Sequence, residues 1–120
     1  MNLPKLFIGP MSKEIVDAVI DYSKKEKLGL IPSRRQIEND GGYVNNWTTE
    51  NFSKYVKSKS SNVLLYRDHG GPLQGKVPDD GVASLLSDLE NNFDFLHIDP
   101  WKNCSSFQEG IDQTASLIKT

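Results

Sequence analysis

The segment NVLLYRDHGGP, residues 62–72, shows how this chain is built. It opens with a short, continuous apolar run and then changes abruptly to charged side chains and a glycine pair. A continuous rather than alternating apolar run is typical of a parallel strand that is covered on both faces. We therefore expect a buried strand here, with chemically active groups just beyond its carboxyl end.

Three further apolar runs of strand length flank this one, and each of the four is followed by a helical pattern of apolar residues. The runs are residues 5–8, 28–31, 62–66 and 93–98. The apolar stripes of the helices, which we expect to pack in the core, are Ile15, Val19 and Tyr22; Phe52, Tyr55 and Val56; Val82, Leu85, Leu86 and Leu89; and Phe107, Ile111, Ala115 and Ile118. The residues expected to cap three of these helices are Ser12, then Thr48 or Thr49, and Ser105 in the capping box Ser105-x-x-Gln108.

The order β-α-β-α-β-α-β-α predicts a single α/β domain over residues 1–120, which is an ordinary one-domain length. Such alternation indicates parallel strands joined by right-handed crossovers. Two architectures fit, a doubly wound open sheet and half of a TIM-type (β/α)8 barrel, and we expect four consecutive βα units of the barrel type. Such a half-barrel or truncated barrel has open sheet edges, so we expect a homo-oligomer or a missing second half rather than a stable monomer. Three explanations stay open: a fragment of a longer product, a dimer in which two halves complete one barrel, and an open four-stranded sheet.

The composition excludes several classes of protein. The chain is 37% hydrophobic and 25% charged, with a formal net charge of −2, and this balance argues against a nucleic-acid partner. The first apolar run is too short for a signal peptide or a membrane span, and the single cysteine, Cys104, suits a reducing compartment. We expect a cytoplasmic protein without a membrane partner. Neither a dinucleotide-binding glycine motif nor a P-loop is present in the sequence.

The stretch after the second apolar run, residues 32–43, is long and polar. Arg34 and Arg35 carry planar guanidinium groups suited to a phosphate or a carboxylate. Gln36 and Glu38 alternate with Arg34, so an extended backbone would place the three on one side. We expect these four residues to bind an anionic substrate, and the alternative is a solvated loop whose arginines pair internally.

The residues after the third run are the first candidate catalytic groups. Asp68 suits general acid–base chemistry, and His69 suits proton transfer or metal binding. Gly70 and Gly71 would let the backbone approach a bound substrate closely. The alternative is a turn that carries a surface histidine.

The residues after the fourth run extend this candidate site. His97 and Asp99 lie at alternate positions of the strand, so they share one face. We expect that face to point into the same pocket as Asp68 or His69. For Trp101, two roles remain equally open: a wall of this pocket, or packing against the last helix.

Three motifs occur in order along the chain: QIENDGGY (residues 36–43) before the helix start at Thr48, DHGGP (68–72) and HID (97–99). They resemble the NQxNQxGGY stretch, the DHLGP turn and the HLD strand end of the D-tagatose-1,6-bisphosphate aldolase accessory-subunit family. This family is related to the class II, zinc-dependent ketose-bisphosphate aldolases. The resemblance covers nearly all of this chain, but only the N-terminal half of the family's TIM barrel.

The resemblance implies a protein of carbohydrate metabolism that handles a small phosphorylated sugar or a similar anionic carbonyl compound. It implies Asp68 as the proton-transferring residue and His69 as a ligand of zinc or another divalent metal. The remaining zinc histidines of class II aldolases come from later strands, and Arg34-Arg35 replaces less charged residues of the family. An aldolase-like lyase or isomerase, a non-catalytic subunit of a class II aldolase, and an open α/β binding module all stay open.

Overall fold

The computed structural model describes residues 2–120 and contains four βα units in chain order. The strands are β1 (Phe7–Ile8), β2 (Leu28–Leu30), β3 (Val63–Gly70) and β4 (Phe95–Ile98). The helices are α1 (Lys13–Tyr22), α2 (Thr49–Lys59), α3 (Val82–Glu90) and α4 (Phe107–Lys119), with a 3-10 turn at Trp101–Asn103 before α4. The predicted alternation of strands and helices is confirmed. None of the helices in the described chain has the length and apolar character needed to cross a lipid bilayer.

The four strands are parallel and form one sheet in the order β1-β2-β3-β4. Right-handed crossovers that always advance in the same direction place every helix on one face of the sheet. This order is the one found in consecutive units of a (β/α)8 barrel, whereas a doubly wound sheet reverses direction and carries helices on both faces. The doubly wound alternative is therefore wrong.

The hydrophobic core lies between the sheet and the helices. Leu30 of β2 and Leu65 of β3 are fully buried and belong to one cluster with Val16 of α1 and Phe52 of α2. Along β3, buried residues alternate with half-exposed ones, because successive side chains point to opposite faces of a strand. Only one face of the sheet is thus packed against helices.

The other face of the sheet carries aromatic side chains from three strands. The ring centroid of Tyr66 lies 5.5 Å from that of Phe7 and 5.8 Å from that of Phe95. Gly29 makes room for the Phe7 ring, because a Cβ atom there would lie 2.0 Å from it. All three rings remain partly exposed. The expectation that the strands are covered on both faces is wrong: their continuous apolar character reflects helices on one face and aromatic rings on the other.

Side-chain caps begin three of the helices. The hydroxyls of Ser12 and Thr48 accept hydrogen bonds from the first turns of α1 and α2, as predicted. At α4 the prediction is wrong by one residue, since Ser106 is the cap and accepts from Glu109 N–H. The Glu109 carboxylate in turn accepts from Ser105, because an ionised carboxylate is a stronger acceptor than the Gln108 amide.

The apolar stripes of α1, α3 and α4 are more exposed than the sequence predicts. Ile15 and Tyr22 of α1 are 40% and 50% exposed, and Leu86 and Leu89 of α3 are 39% and 58% exposed. In the middle helix α2, Phe52 and Val56 are fully buried. In α4, by contrast, Phe107, Ile111 and Ile118 are 74%, 43% and 69% exposed. The expectation that the α3 and α4 stripes pack in the core is therefore wrong for these residues. Leu86, Leu89 and Ile118 instead line an open apolar groove between α3 and α4.

A buried ion pair joins β3 to α3. The Arg67 guanidinium donates two hydrogen bonds to the Asp88 carboxylate, at 2.8 and 2.7 Å, and both side chains are fully buried. Arg67 also donates to the carbonyls of Pro32 and Ile37, at 3.2 and 2.8 Å. Burial raises the pKa of the Asp88 carboxyl, and the hydrogen bonds from Arg67 oppose that effect. One side chain thus fixes a helix and the loop after β2 to the central strand.

A second ion-pair network ties the loops at the carboxyl ends of the strands. Arg34 is 3% exposed and donates to Glu38 at 2.6 Å and to both oxygens of Asp79, at 2.8 and 2.5 Å. It also donates to the Gly71 carbonyl at 2.7 Å. The hydrogen bonds from Arg34 lower the pKa of the Asp79 carboxyl against the opposing effect of burial. The network connects the loop after β2 to the loop between β3 and α3.

We predict that Arg67→Met lowers the free energy of unfolding by about 3–5 kcal/mol, because it leaves the Asp88 charge buried without a partner. Urea unfolding followed by circular dichroism measures the change. The control is Lys24→Met, which removes an ion pair whose side chains are 73% and 79% exposed, and it should cost less than about 1 kcal/mol. Equal losses in the two variants would contradict the structural role of Arg67.

We predict that Asp79→Asn lowers the stability by about 1 kcal/mol at pH 7, a value reduced to allow for solvent screening of this partly exposed carboxylate. The folded pKa of Asp79 lies below its unfolded value. Its stabilising effect is therefore present above the unfolded pKa and disappears as the pH falls through the folded one. Urea titrations measure this: the difference in the free energy of unfolding between Asp79→Asn and wild type should be smaller near pH 3 than at pH 7. The exposed Asp40→Asn control should show no such trend, and a constant difference for Asp79→Asn would refute the linkage.

Candidate functional site

An irregularity in the β3–β4 ladder builds the candidate site. Arg67 pairs with Leu96 and Gly70 with Ile98, so two residues of β3 stand opposite one residue of β4. This two-against-one arrangement is a β-bulge, a feature that redirects side chains. His69, the second of the two residues opposite His97, has a φ angle of 49°, in the left-handed region that costs a side-chain-bearing residue energy.

The bulge gathers three side chains that regular strands would separate. Asp68 and His69 are consecutive, so an unbroken strand would point them to opposite faces. Here the Asp68 Oδ1 atom lies 3.6 Å from His69 Nε2 and 4.0 Å from His97 Nδ1. The two imidazole rings are 5.0 Å apart between centroids. One ligand atom from each of the three residues can be chosen so that all lie within 4.8 Å of one another.

Asp99 orients the His69 ring. The His69 Nδ1 atom lies 2.6 Å from Asp99 Oδ2, and Asp99 also accepts from Gln74 at 3.1 Å and from the Trp101 backbone N–H at 3.1 Å. Burial acts to raise the pKa of Asp99, but the His69 and Trp101 hydrogen bonds outweigh it, so the net pKa is lowered. The contact with Asp99 at Nδ1 directs the other ring nitrogen of His69, Nε2, toward Asp68.

An open cavity of about 360 Å³ adjoins the cluster. It is lined by His69, Asp99, Gln74, Trp101 and Lys102. The Trp101 ring also packs on α4, where a Cβ atom on Gly110 would lie 2.1 Å from it. Both roles considered for Trp101 are therefore present. Gln74 and Lys102 were not among the predicted site residues, and no local pattern distinguishes them from ordinary loop residues.

The polar residues of the loop after β2 are mostly engaged within the fold. Arg34 and Glu38 form the buried network described above, and Gln36 is 8% exposed. The Gln36 side chain accepts from Ser33 N–H at 2.9 Å and donates to the sulfur of Met11 at 3.2 Å. Arg35 is exposed. Of these four predicted substrate-binding residues, only Arg35 presents a free side chain on the surface of the described chain.

Gly70 and Gly71 form the junction between β3 and the residues after β4. The Gly70 carbonyl accepts from Asp99 N–H at 2.7 Å. A Cβ atom on Gly71 would lie 2.3 Å from the Asp99 carbonyl oxygen, so a larger residue would separate the two segments. Both glycines thus hold Asp99 beside His69, which is a packing role, and their predicted role in substrate binding stays a prediction.

The four predicted catalytic residues therefore form one group, with Gly70 and Gly71 against Asp99. The predicted substrate-binding side chains of the loop after β2 do not join it. Two imidazoles and a carboxylate are a donor set that divalent metals such as zinc, manganese and iron accept. A carboxylate that accepts a hydrogen bond from a histidine ligand is a common outer partner of such sites. Residues Asp68, His69 and His97 have the chemistry to hold a divalent cation, and Asp99 has the position to orient one of them.

No protein-family model matches the sequence, and no curated protein matches it significantly. Among solved structures, the chain is similar to a probable tagatose 6 phosphate kinase from Sinorhizobium meliloti 1021, with a TM-score of 0.76. The similarity covers 95% of this chain at 21% sequence identity, and the chain spans 35% of the length of that protein. At this level of identity the likeness establishes the shared fold, four parallel strands alternating with helices.

Proposed function

We propose that this protein binds a divalent metal ion at Asp68, His69 and His97 and handles a phosphorylated sugar in the adjoining cavity. The observation that carries the proposal is the meeting of three ligand-bearing side chains at the carboxyl ends of β3 and β4. Ligands of parallel α/β proteins bind at this edge of the sheet. The structural likeness to a probable tagatose 6 phosphate kinase supports the choice of substrate class.

The residues of the cluster have separable roles in this proposal. His69 and His97 supply neutral nitrogen ligands, and Asp99 holds the His69 ring through its 2.6 Å contact with Nδ1. When bound, a divalent ion supplies Lewis-acid polarisation of a carbonyl or hydroxyl oxygen. Asp68 Oδ1 faces the two histidines, so its second oxygen is the one placed to accept or return a substrate proton. These roles suit a lyase or isomerase of the class II aldolase type.

Lys102 is the residue we assign to the substrate phosphate. Arg34, the strongest candidate from the sequence, is buried and already paired with two carboxylates. Lys102 is exposed and lines the same cavity as His69 and Asp99. An ammonium group at the wall of the cavity can bind a phosphate as a point charge without disturbing the fold.

We predict that the chain binds Co²⁺ and Zn²⁺ at one site, which Co²⁺ absorption and isothermal titration calorimetry measure. His97→Ala should weaken binding by about 100-fold or more, because it removes one of three protein ligands. Asp99→Asn should weaken it by about 10- to 100-fold through the orientation of His69. The sequence has two histidines, so His97→Ala removes half of the imidazole ligands. The exposed Asp112→Asn variant is the control, and equal metal affinity in all the variants would refute the site.

We predict that Lys102→Gln weakens the binding of D-tagatose 6-phosphate by about 10-fold, the loss expected for one charge-assisted hydrogen bond. Metal affinity should not change, and unphosphorylated tagatose should bind wild type and variant equally. Lys119→Gln, on the last turn of α4, is the matched control. Failure of both sugars to bind the metal-loaded protein would contradict the substrate assignment.

A non-catalytic subunit is the second candidate function. Two observations favour it: among the described residues only β3 and β4 contribute candidate ligands, and the His69 and His97 side chains are 52% and 42% exposed. An aldolase site needs to exclude water more completely than this. Binding of the sugar phosphate without turnover, unchanged by Asp68→Asn, would favour the subunit, whereas turnover abolished by Asp68→Asn would favour the enzyme.

A further inference from the structure

The Trp101 side chain stands at the wall of the cavity beside the candidate site. Trp101 follows β4 in the 3-10 turn and lines the cavity together with His69, Gln74 and Lys102. It is 48% exposed, whereas tryptophan residues in folded proteins are buried for the most part. Packing on α4 accounts for only part of its surface, so the exposed remainder needs another explanation.

Contacts with α4 and with Asp99 hold this residue in place. Phe107 and Gly110 lie three residues apart on α4 and therefore on the same side of that helix. A Cβ atom on Gly110 would lie 2.1 Å from the indole, and the Phe107 ring stacks on the indole at 6.0 Å between centroids and an interplanar angle of 25°. The Trp101 backbone N–H donates to Asp99 at 3.1 Å. Because the ring is already positioned, little conformational entropy would be lost when a ligand packs against it.

The other groups around the cavity are polar. Gln74 is buried and its Nε2 group donates to Asp99 at 3.1 Å, so the amide oxygen is the end left to accept from a ligand. Lys102 is exposed and adds a positive charge, and His69 adds an imidazole. The cavity therefore combines one aromatic surface with hydrogen-bonding and charged groups. This mixture suits a ligand that carries both C–H and O–H groups better than it suits an apolar ligand.

We propose that Trp101 binds the carbon skeleton of the sugar, with its indole face against a patch of C–H bonds. The face of an aromatic ring is electron-rich and the hydrogens of a sugar C–H bond are slightly positive, so the two attract each other. Lys102, the next residue in the chain, binds the phosphate at the same wall of the cavity. This inference rests on the proposed function and deepens it, because Trp101 then selects a sugar over a short phosphorylated compound such as glycerol phosphate.

A nucleobase also stacks on an indole ring, and two observations favour the sugar. The cavity of about 360 Å³ lies near the small end of the range of about 300–1,000 Å³ found for ligand pockets. The sequence contains neither a dinucleotide-binding glycine motif nor a P-loop to hold the phosphates of a nucleotide. A nucleoside is therefore the competing ligand that the experiment includes.

The first test compares two variants by isothermal titration calorimetry with the Zn²⁺-loaded protein. Trp101→Ala should weaken the binding of both D-tagatose 6-phosphate and unphosphorylated D-tagatose by about 10-fold, because both contain the sugar. It should leave the binding of inorganic phosphate unchanged. Lys102→Gln should weaken the binding of inorganic phosphate and leave that of D-tagatose unchanged, so the two contributions are separable.

Two further variants show whether the aromatic ring itself is responsible. Trp101→Phe should keep the affinity for both sugars within about 3-fold of wild type, since an aromatic face remains. Tyr22→Ala is the matched control, because Tyr22 is 50% exposed at the end of α1 and does not line this cavity. Circular dichroism verifies folding of each variant. Zn²⁺ affinity should not change in Trp101→Ala, because the N–H group that contacts Asp99 belongs to the backbone.

Tryptophan fluorescence locates the bound sugar directly. The sequence has two tryptophans, and Trp47 is buried in the core at 7% exposure. In a Trp47→Phe background, the emission therefore comes from Trp101. D-tagatose 6-phosphate should change this emission and protect the ring from acrylamide quenching, whereas adenosine should do neither.

Each outcome decides between the claims. If neither sugar binds the wild-type protein, the proposed function fails and this inference fails with it. If both sugars bind wild type and Trp101→Ala with equal affinity, the substrate assignment stands and only the role of Trp101 is overturned. Protection of Trp101 by adenosine but not by D-tagatose 6-phosphate would overturn the role in favour of a nucleotide site.

Discussion

The Arg67 guanidinium is the contact on which the rest of this structure depends. Its Nε and Nη2 groups donate to the Asp88 carboxylate of α3, and its Nη1 group donates to two carbonyls of the loop after β2. Because Arg67 faces the helices, its neighbour Asp68 must face the other side of the sheet. The contact thereby fixes which side chains of β3 face the helices immediately before the bulge. Without the Arg67–Asp88 pair, α3 and the loop after β2 would lose their link to β3. The direction in which the candidate site faces would then no longer be fixed.

The bulge that follows converts this fixed strand into a site. It costs a left-handed conformation at His69, of the order of 1–3 kcal/mol, and such strain persists only where the surroundings impose it. Here Asp99 holds the His69 ring, and the close approach of Gly71 to Asp99 holds the two strand ends together. The Arg34 network secures the loops around them. Buried, paired charges thus support the strand ends that carry the site.

Much of this could be predicted from local patterns, and the errors have specific causes. The βα order and the caps at Ser12 and Thr48 depend on neighbouring residues alone. The assignment of Arg34 to a substrate overlooked Asp79, which lies 45 residues away in the chain and binds the same guanidinium. Periodicity reveals an apolar face without revealing what covers it, so the predicted core position fails for the α4 stripe and for Leu86 and Leu89 of α3.

Local sequence patterns predict the alternation of four strands with four helices and the position of the polar residues at the carboxyl ends of the strands. They also single out Asp68, His69, His97 and Asp99 as candidates. These follow from periodicity and chain order, which are local properties. The strand order β1-β2-β3-β4 and the bulge that turns consecutive residues to the same side depend on contacts between distant segments, which only the folded chain makes. The tertiary structure also decides which cations are free, because an ion pair between distant residues forms only when the fold brings the two charges together.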